Sequence, residues 1–513
     1  MEKLDKTIRT RIAPSPTGDP HVGTLRTALF NYFVAKQGGG NFALRVEDTD
    51  KTREVPGSLE KIYESLEWIG VFPDEGMKYG GDFGPYLQSK RLDLYQRYAN
   101  DLLEKGYAYY CFCTPQRLTN LREEQEKNHL PPRYDSHCLK LDKDEAASRA
   151  KNEQYVIRLK VPEDEVIKFN DAIKGEIEIN SNEVDDQVLM KSDGYPTYHL
   201  AVVIDDHLMK ISHVIRGEEW ISSTPKHILL YRYFGWDLPV FAHLPLILNT
   251  DRSKLAKRHN NTSVLYYKVE QGYHPGAMCH FMMFMGWTPK EVKECYMLSD
   301  FAKDFSLDRV GASPAIFDIA KLNSLSHLYF VSEDIEKLTQ DFIDWISDSR
   351  HKKSNVEKEF MKLKNETPQL CKAMLEVVRS RCNTLLEMSV GIEKFFNLIP
   401  KLVLDDLTLD TKINIANAIH SIEVINSAIA KMDVTRLPEN SAARISWLTD
   451  YFRSKQPAHL SGRDYLHPTR VAITGERVSM NMFEYLSVFL LKKDGKKEII
   501  SRLSDAKKLL ENN

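Results

Sequence analysis

The strongest constraint on the fold of this chain lies at its start, where strand and helix signals alternate twice around a loop rich in proline. Residues 8–13 fit a short strand, with β-branched Ile8, Thr10 and Ile12, and the loop behind it carries Pro14, Pro16, Gly18 and Pro20. Residues 25–36 then place Leu25, Leu29, Tyr32 and Phe33 on one helical side, until Gly38, Gly39 and Gly40 stop the helix. A second strand is predicted over residues 41–48, with Phe42, Leu44 and Val46 on one face and Arg45 and Glu47 on the other. Leu59, Ile62, Tyr63, Leu66 and Ile69 predict the helix after it. Strand, helix, strand, helix specifies a parallel α/β sheet.

The chain of 513 residues is too long for one core, and roughly 150 residues per domain gives three or four units. Residues 1–90 read as the first half of a Rossmann-type domain, and residues 91–198 as an α+β insertion, with a charged helix at 116–127 and strands near 155–161 and 173–179. Alternation resumes over residues 199–250, with strands predicted at 201–204 and 211–215 and a helix at 224–233. Residues 251–330 form a further segment with a lysine-rich loop. Beyond them, Ile335, Leu338, Phe342, Ile343 and Ile346, and again Met374, Val377 and Val378, make residues 331–513 an all-α region.

Composition narrows the class. Apolar residues at 42% and charged residues at 28% exclude a disordered or low-complexity chain. No stretch approaches the roughly 18 uninterrupted apolar residues of a membrane span; the best, residues 228–248, is broken by Arg232, Asp237, Pro239 and Pro245. The charged N-terminus leads directly into a predicted strand, so a cytoplasmic protein with no membrane partner is expected, and a monomer. A net charge of -3 does not announce a nucleic-acid partner, yet residues 451–513 carry a balance of +5.

Two constellations are suited to phosphate. The loop after the first strand runs Arg11-Ile12-Ala13-Pro14-Ser15-Pro16-Thr17-Gly18, and His21-Val22-Gly23-Thr24 opens the helix. A helix start beyond a parallel strand presents free N–H groups to an anion, and imidazole and hydroxyl donors add to them. Neither a Walker A pattern nor GxGxxG follows the first strand. The second constellation, Lys254-Leu255-Ala256-Lys257-Arg258, places two lysines three residues apart beside an arginine, mobile charges suited to a departing polyphosphate.

These two segments resemble the two ATP-binding signatures of class I aminoacyl-tRNA synthetases, and the whole chain is similar to the bacterial-type glutamyl-tRNA synthetases. Further matches are Arg45-Val46-Glu47-Asp48-Thr49-Asp50, Lys191 to His199, Asp205-Asp206-His207, and Arg216 through Trp220; His467 to Gly475 echoes the family near the C-terminus. The resemblance implies that L-glutamate is activated by ATP, with Mg2+ carried by the nucleotide, and then transferred to tRNA(Glu), or to tRNA(Gln) as well. It implies ATP contacts from His21, Gly23, Thr24, Lys254, Lys257 and Arg258, and amino-acid contacts from Arg11, Ala13, Ser15, Glu47, Tyr198, Arg216 and Trp220. A dicarboxylate bearing an ammonium group is matched chemically by two guanidinium forks and one carboxylate. By the same resemblance, residues 91–198 would bind the tRNA acceptor, 251–330 contact its stem and 331–513 read its anticodon.

Three departures from the family pattern are Ala256 in place of a serine, Val202 in place of an asparagine, and Ser324 with Ser326 in place of Trp and Asn. They motivate a second reading, a catalytically weakened tRNA-binding paralogue. Glutaminyl specificity and the short relative that modifies a tRNA base are further alternatives; the helical third speaks against the latter. Of seven cysteines, Cys111, Cys113 and Cys138 cluster, and in a reducing compartment they suggest zinc rather than disulfides. The family pattern offers Tyr134 as fourth ligand, with His137 as the alternative; free thiols are the other reading.

Overall fold

The computed structural model describes residues 7–255, 261–351, 355–396, 402–475 and 481–512. They form two compact units, Met1–Lys268 with Pro275–Leu322, and Val269–His274 with Asn323–Asn513.

The first unit opens with β1 (Arg9–Ile12), α1 (Val22–Gln37), β2 (Asn41–Leu44), α2 (Ser58–Trp68) and β3 (Glu75–Gly76), the three strands side by side and parallel. Phe42, Ala43 and Leu44 are all buried, as expected of a parallel strand covered on both faces. The predicted second strand ends early, at Leu44, and the charged residues behind it are not exposed to water: Arg45 is wholly buried and Glu47 is 8% exposed.

The next stretch contains α3 (Leu92–Glu104), β4 (Ala108–Cys111), α4 (Pro115–Lys127), α5 (Lys143–Arg149), β5 (Val156–Leu159), β6 (Val166–Asp171), β7 (Gly175–Asn180) and β8 (Val188–Met190). Strands β4, β5 and β8 make an antiparallel sheet, and β6 and β7 an antiparallel hairpin. In β6 alternate residues Ile167, Phe169 and Asp171 are buried while Val166, Lys168 and Asn170 are exposed. The predicted strand at 173–179 begins inside the hairpin turn, and β6 itself was not anticipated, because Lys168, Asn170 and Asp171 dilute its apolar pattern.

The parallel sheet then resumes through α6 (Tyr198–Leu208), β9 (His213–Gly217), α7 (Thr224–Phe234), β10 (Val240–Leu244) and β11 (Ile247–Leu248). β9, β10 and β6 are parallel neighbours, and Ser212 N–H donates to Arg9 O at 2.9 Å, bringing β9 beside β1. The strand predicted at 201–204 is a correction: those residues lie within α6. Leu200–Ile204 is an unbroken buried apolar run, and such a run has no periodicity to separate a core strand from a core helix. The unit ends with α8 (Pro275–Phe284), α9 (Leu298–Asp304) and β12 (Ala315–Ile316), the last parallel to β11.

The second unit is helical, and its helices include Ile335–Ile346, Pro368–Arg379, Ile415–Lys431, Gly462–Thr474 and Gly495–Glu511. Leu338, Phe342, Met374, Ile422 and Leu486 belong to one buried cluster. Leu338, Phe342, Ile343 and Ile346 are buried on one helix, on the face that their spacing predicts.

Candidate active site

A cleft of about 720 Å³ opens at the carboxyl ends of β1 and β9, where the order of the parallel sheet reverses. That is where ligands collect in open α/β sheets, and the volume suits a small-molecule site. Arg11, Ala13 and Ser15 reach it from β1 and its loop, His21, Gly23 and Thr24 from the start of α1, and Glu47 from beyond β2. Tyr198 arrives on the first turn of α6, Arg216 on β9, Trp220 just after it, and Lys254 after β11.

One end of the cleft is built for an anion. His21 caps α1, its Nδ1 accepting from Gly23 N–H at 2.9 Å, and no acidic residue occupies the first turn to neutralise the positive end of the helix. A Cβ on residue 23 would stand 3.1 Å from that Nδ1, so glycine leaves the imidazole its place. Val22 N–H donates to Thr262 O and Val264 N–H to Pro20 O, each at 2.9 Å, so the chain behind the lysine-rich segment docks on the start of α1. Lys254 lines the same cleft. Ala256, Lys257 and Arg258 lie outside the described residues.

The other end holds buried charge. Asp206 accepts from Arg11 Nε at 3.0 Å and from Arg45 Nη1 at 2.7 Å, and Arg45 Nη2 meets Glu47 at 3.0 Å. Asp205 receives Arg91 at 2.7 Å and Tyr95 Oη at 2.8 Å. Burial opposes the charge on Asp206, but Arg11 and Arg45 outweigh it and hold the carboxyl below its ordinary value. Burial prevails at Glu47, pushing it up to about 7 against the pull of Arg45. The Tyr198 ring packs on Trp220 with centroids 4.3 Å apart, and its hydroxyl accepts from Arg216 at 3.1 Å.

Among the departures, Val202 is 2% exposed in the core of α6 and is not among the residues lining the cleft. Ser326 is buried and accepts from His274 N–H at 3.2 Å. The sequence reading missed several groups here: Lys191 and Glu219 on the cleft wall, and the buried Asp171, Thr224, His227 and His243 behind Arg216. The run containing Lys191 gave a signal; the four buried groups gave none, since only the folded sheet makes them neighbours.

Away from the cleft, the Sγ atoms of Cys111, Cys113 and Cys138 lie within 4.8 Å of one another. Tyr134 Oη is 3.4 Å from both Cys111 and Cys113, and Arg158 covers the phenol ring at 3.9 Å. Four potential donors thus meet at one point. Among the described residues His137 brings no nitrogen into that group.

Comparison with known proteins agrees with this arrangement. Residues 7–324 match the family described as tRNA synthetases class I (E and Q), catalytic domain, and residues 326–507 match an anticodon binding domain. The chain therefore belongs to the class I tRNA synthetases of the E and Q type, and within them to the bacterial glutamyl branch. A glutamate–tRNA ligase of Chloroherpeton thalassium is 40% identical over 514 residues, 98% of each chain. One from Cellvibrio japonicus is 53% identical over 340 residues, 66% of this chain and 67% of that one. The crystal structure of a glutamate tRNA ligase from Elizabethkingia meningosepticum, in complex with its amino acid, superposes with a TM-score of 0.82 at 33% identity, covering 98% of this chain and all of that one.

Proposed function

We propose that the chain is a glutamate–tRNA ligase. The observation that carries this reading is a single cleft with a phosphate-binding helix start and Lys254 at one end and Arg11, Arg216 and Glu47 at the other. Glutamate's ammonium group is held by Glu47 and its carboxylates by guanidinium groups, beside an ATP whose phosphates rest on His21, Gly23 and Thr24. The α-carboxylate attacks the α-phosphorus in line, pyrophosphate leaves toward Lys254, Lys257 and Arg258, and the glutamyl group passes from the adenylate to the terminal adenosine of tRNA. No protein nucleophile is involved, so positioning and charge neutralisation supply the rate. Ala13 and Ser15 border the amino acid, Tyr198 and Trp220 wall it, and Mg2+ accompanies the ATP through phosphate and water.

The test is glutamate-dependent ATP–pyrophosphate exchange with tRNA present. Exchange well above background is expected; its absence would overturn this reading. Charging of purified tRNA(Glu) and tRNA(Gln) separately decides whether the second is also a substrate. We propose a cytoplasmic monomer, as the family resemblance implies. Among the described residues no helix is long and apolar enough to cross a membrane.

The finer assignments follow the chain. Residues 91–198 hold the tRNA acceptor, 251–330 contact the stem and 331–513 read the anticodon. In the helical unit a second cleft, about 550 Å³, is bordered by Arg381, Arg453, Arg463 and Arg470, donors suited to tRNA phosphate. Cys111, Cys113, Cys138 and Tyr134 fit a zinc ion by donor type and convergence, and such an ion would shape the insertion without entering the chemistry. Protein purified without chelator is expected to hold close to one equivalent of zinc; less than about a tenth would reject the site, since closed structural sites bind tightly.

A further inference from the structure

Arg216 differs from Arg11, a buried arginine of the same cleft that is paired with Asp206. It is 5% exposed, and among the described residues no ion pair joins it to a carboxylate. Every partner is a neutral acceptor: Nε donates to His243 Nε2 at 3.1 Å, Nη1 to Tyr198 Oη and to His227 Nδ1 at 3.1 Å each, and Nη2 to Thr224 Oγ1 at 2.9 Å. Its charge is held in place with no carboxylate in ion-pair contact, which suits a guanidinium that must receive a substrate carboxylate.

We propose that Asp171 and His243, assisted by the pair His227 and His199, are positioning residues that fix Arg216 for the substrate carboxylate by keeping both imidazoles in acceptor tautomers. The inference rests on the amino-acid site proposed above. A guanidinium only donates, so the ring nitrogens it meets must be bare. His243 Nδ1 therefore carries the hydrogen and donates to Asp171 Oδ2 at 2.6 Å, inside a pair that is fully shielded from water. His227 likewise keeps Nδ1 bare and turns its Nε2–H to His199 Nδ1 at 3.1 Å. A proton added to the bare nitrogen of either ring would set two N–H groups against each other. Burial, then Arg216, lowers His227 well below its ordinary value, and burial, then Lys226 and Arg216, lowers His199 to about 3; at His243 burial also prevails, though Asp171 opposes it.

The carboxylate end of this chain of contacts comes from β6, which joins the parallel sheet beside β10. Asp171 ends β6, pairs with Phe241 of β10, and its Oδ1 accepts from the N–H groups of Ile173 and Lys174 at 3.0 and 2.9 Å. Those two bonds make Asp171→Asn a directed test. They keep the amide oxygen where Oδ1 was, within 3.3 Å of His243 N–H, so the NH2 replaces Oδ2, gives up that atom's 3.1 Å bond from His243 N–H, faces His243 Nδ1 and drives the ring to its Nε2–H tautomer, against Arg216 Nε–H.

The experiment is steady-state charging of tRNA by the full chain. Asp171→Asn and His243→Leu are each expected to raise the KM for glutamate about ten- to a hundredfold, the scale of a lost hydrogen bond to a charged group, with the KM for ATP within about twofold of wild type. His243→Gln supplies an acceptor that has no tautomer to lose, so it keeps the glutamate KM within a few-fold of wild type and masks the effect of Asp171→Asn in the double variant. An unchanged glutamate KM in both Asp171→Asn and His243→Leu overturns the proposal. So does an equal rise in both KM values with a lowered Tm, which would mark a merely structural role. Failure of the wild-type protein to charge tRNA with glutamate would overturn the underlying reading as well, and is distinguishable because it precedes any substitution.

Discussion

Charge at the end of the cleft that holds Arg11, Arg216 and Glu47 is distributed unevenly over three guanidinium groups that look alike in sequence. Arg11 and Arg45 share Asp206, and Arg45 also faces Glu47, whereas Arg216 meets only neutral acceptors. Arg11, Arg216 and Glu47 were named through the family resemblance, with which the chemistry of a dicarboxylate bearing an ammonium group agrees, and the structure brings all three to one cleft. The groups behind Arg216 were not legible in the sequence, because Asp171, His227 and His243 are brought to Arg216 by strand pairing and have no local pattern. Glu47 has a consequence for pH dependence. Burial raises it from 4.5 to about 7, so below pH 7 it carries a proton that must leave before it can hold an ammonium group. The KM for glutamate is expected to be flat above pH 7 and to climb toward tenfold per unit below it, while the KM for ATP stays level. Glu47→Gln should raise the glutamate KM above pH 7, where the wild-type carboxylate is ionised, and remove the slope below it; a slope that persists in this variant would assign the titration to another group.

Elements were legible where period or punctuation was local. The three glycines after α1 announced the end of that helix, but not which of them the fold requires. Gly39 has φ +61 and open space around an added Cβ, so Gly39→Ala carries only the cost of the left-handed backbone, about 1 to 2 kcal/mol. A Cβ on Gly40 would stand 1.7 Å from Ile8 O, a backbone atom at the edge of β1, and its displacement disturbs the strand that carries Arg11. Gly40→Ala is expected to cost about 3 kcal/mol, the larger loss of the two, read as a lower urea midpoint for the first unit. Equal midpoints for the two variants would mean that the turn gives way more easily than the contact implies. α6 shows the opposite case: Leu200–Ile204 fits strand or helix equally by composition, and only burial on all sides as part of an eleven-residue helix decides.

For the whole molecule, a net charge of -3 conceals a basic end, and the balance of +5 over residues 451–513 becomes informative only when placed. Arg453, Arg463 and Arg470 come from two helices of the second unit and meet at one cleft, together with Arg381 from an earlier segment. If that cleft receives tRNA phosphate, binding releases counterions, and the logarithm of the affinity falls linearly with the logarithm of salt concentration. Each phosphate contact contributes about 0.7 to 0.9 to the slope, the lower figure applying to single strands. The double variant Arg453→Gln/Arg463→Gln is therefore expected to weaken tRNA binding in low salt and to reduce the slope by about 1.5, measured by titrating tRNA between 50 and 200 mM salt, roughly the range over which such contacts are screened. The KM for ATP should not move, because neither arginine lines the nucleotide cleft. An unchanged slope with weakened binding would mean that these arginines act through packing; an unchanged slope with unchanged binding would place the tRNA elsewhere on the helical unit.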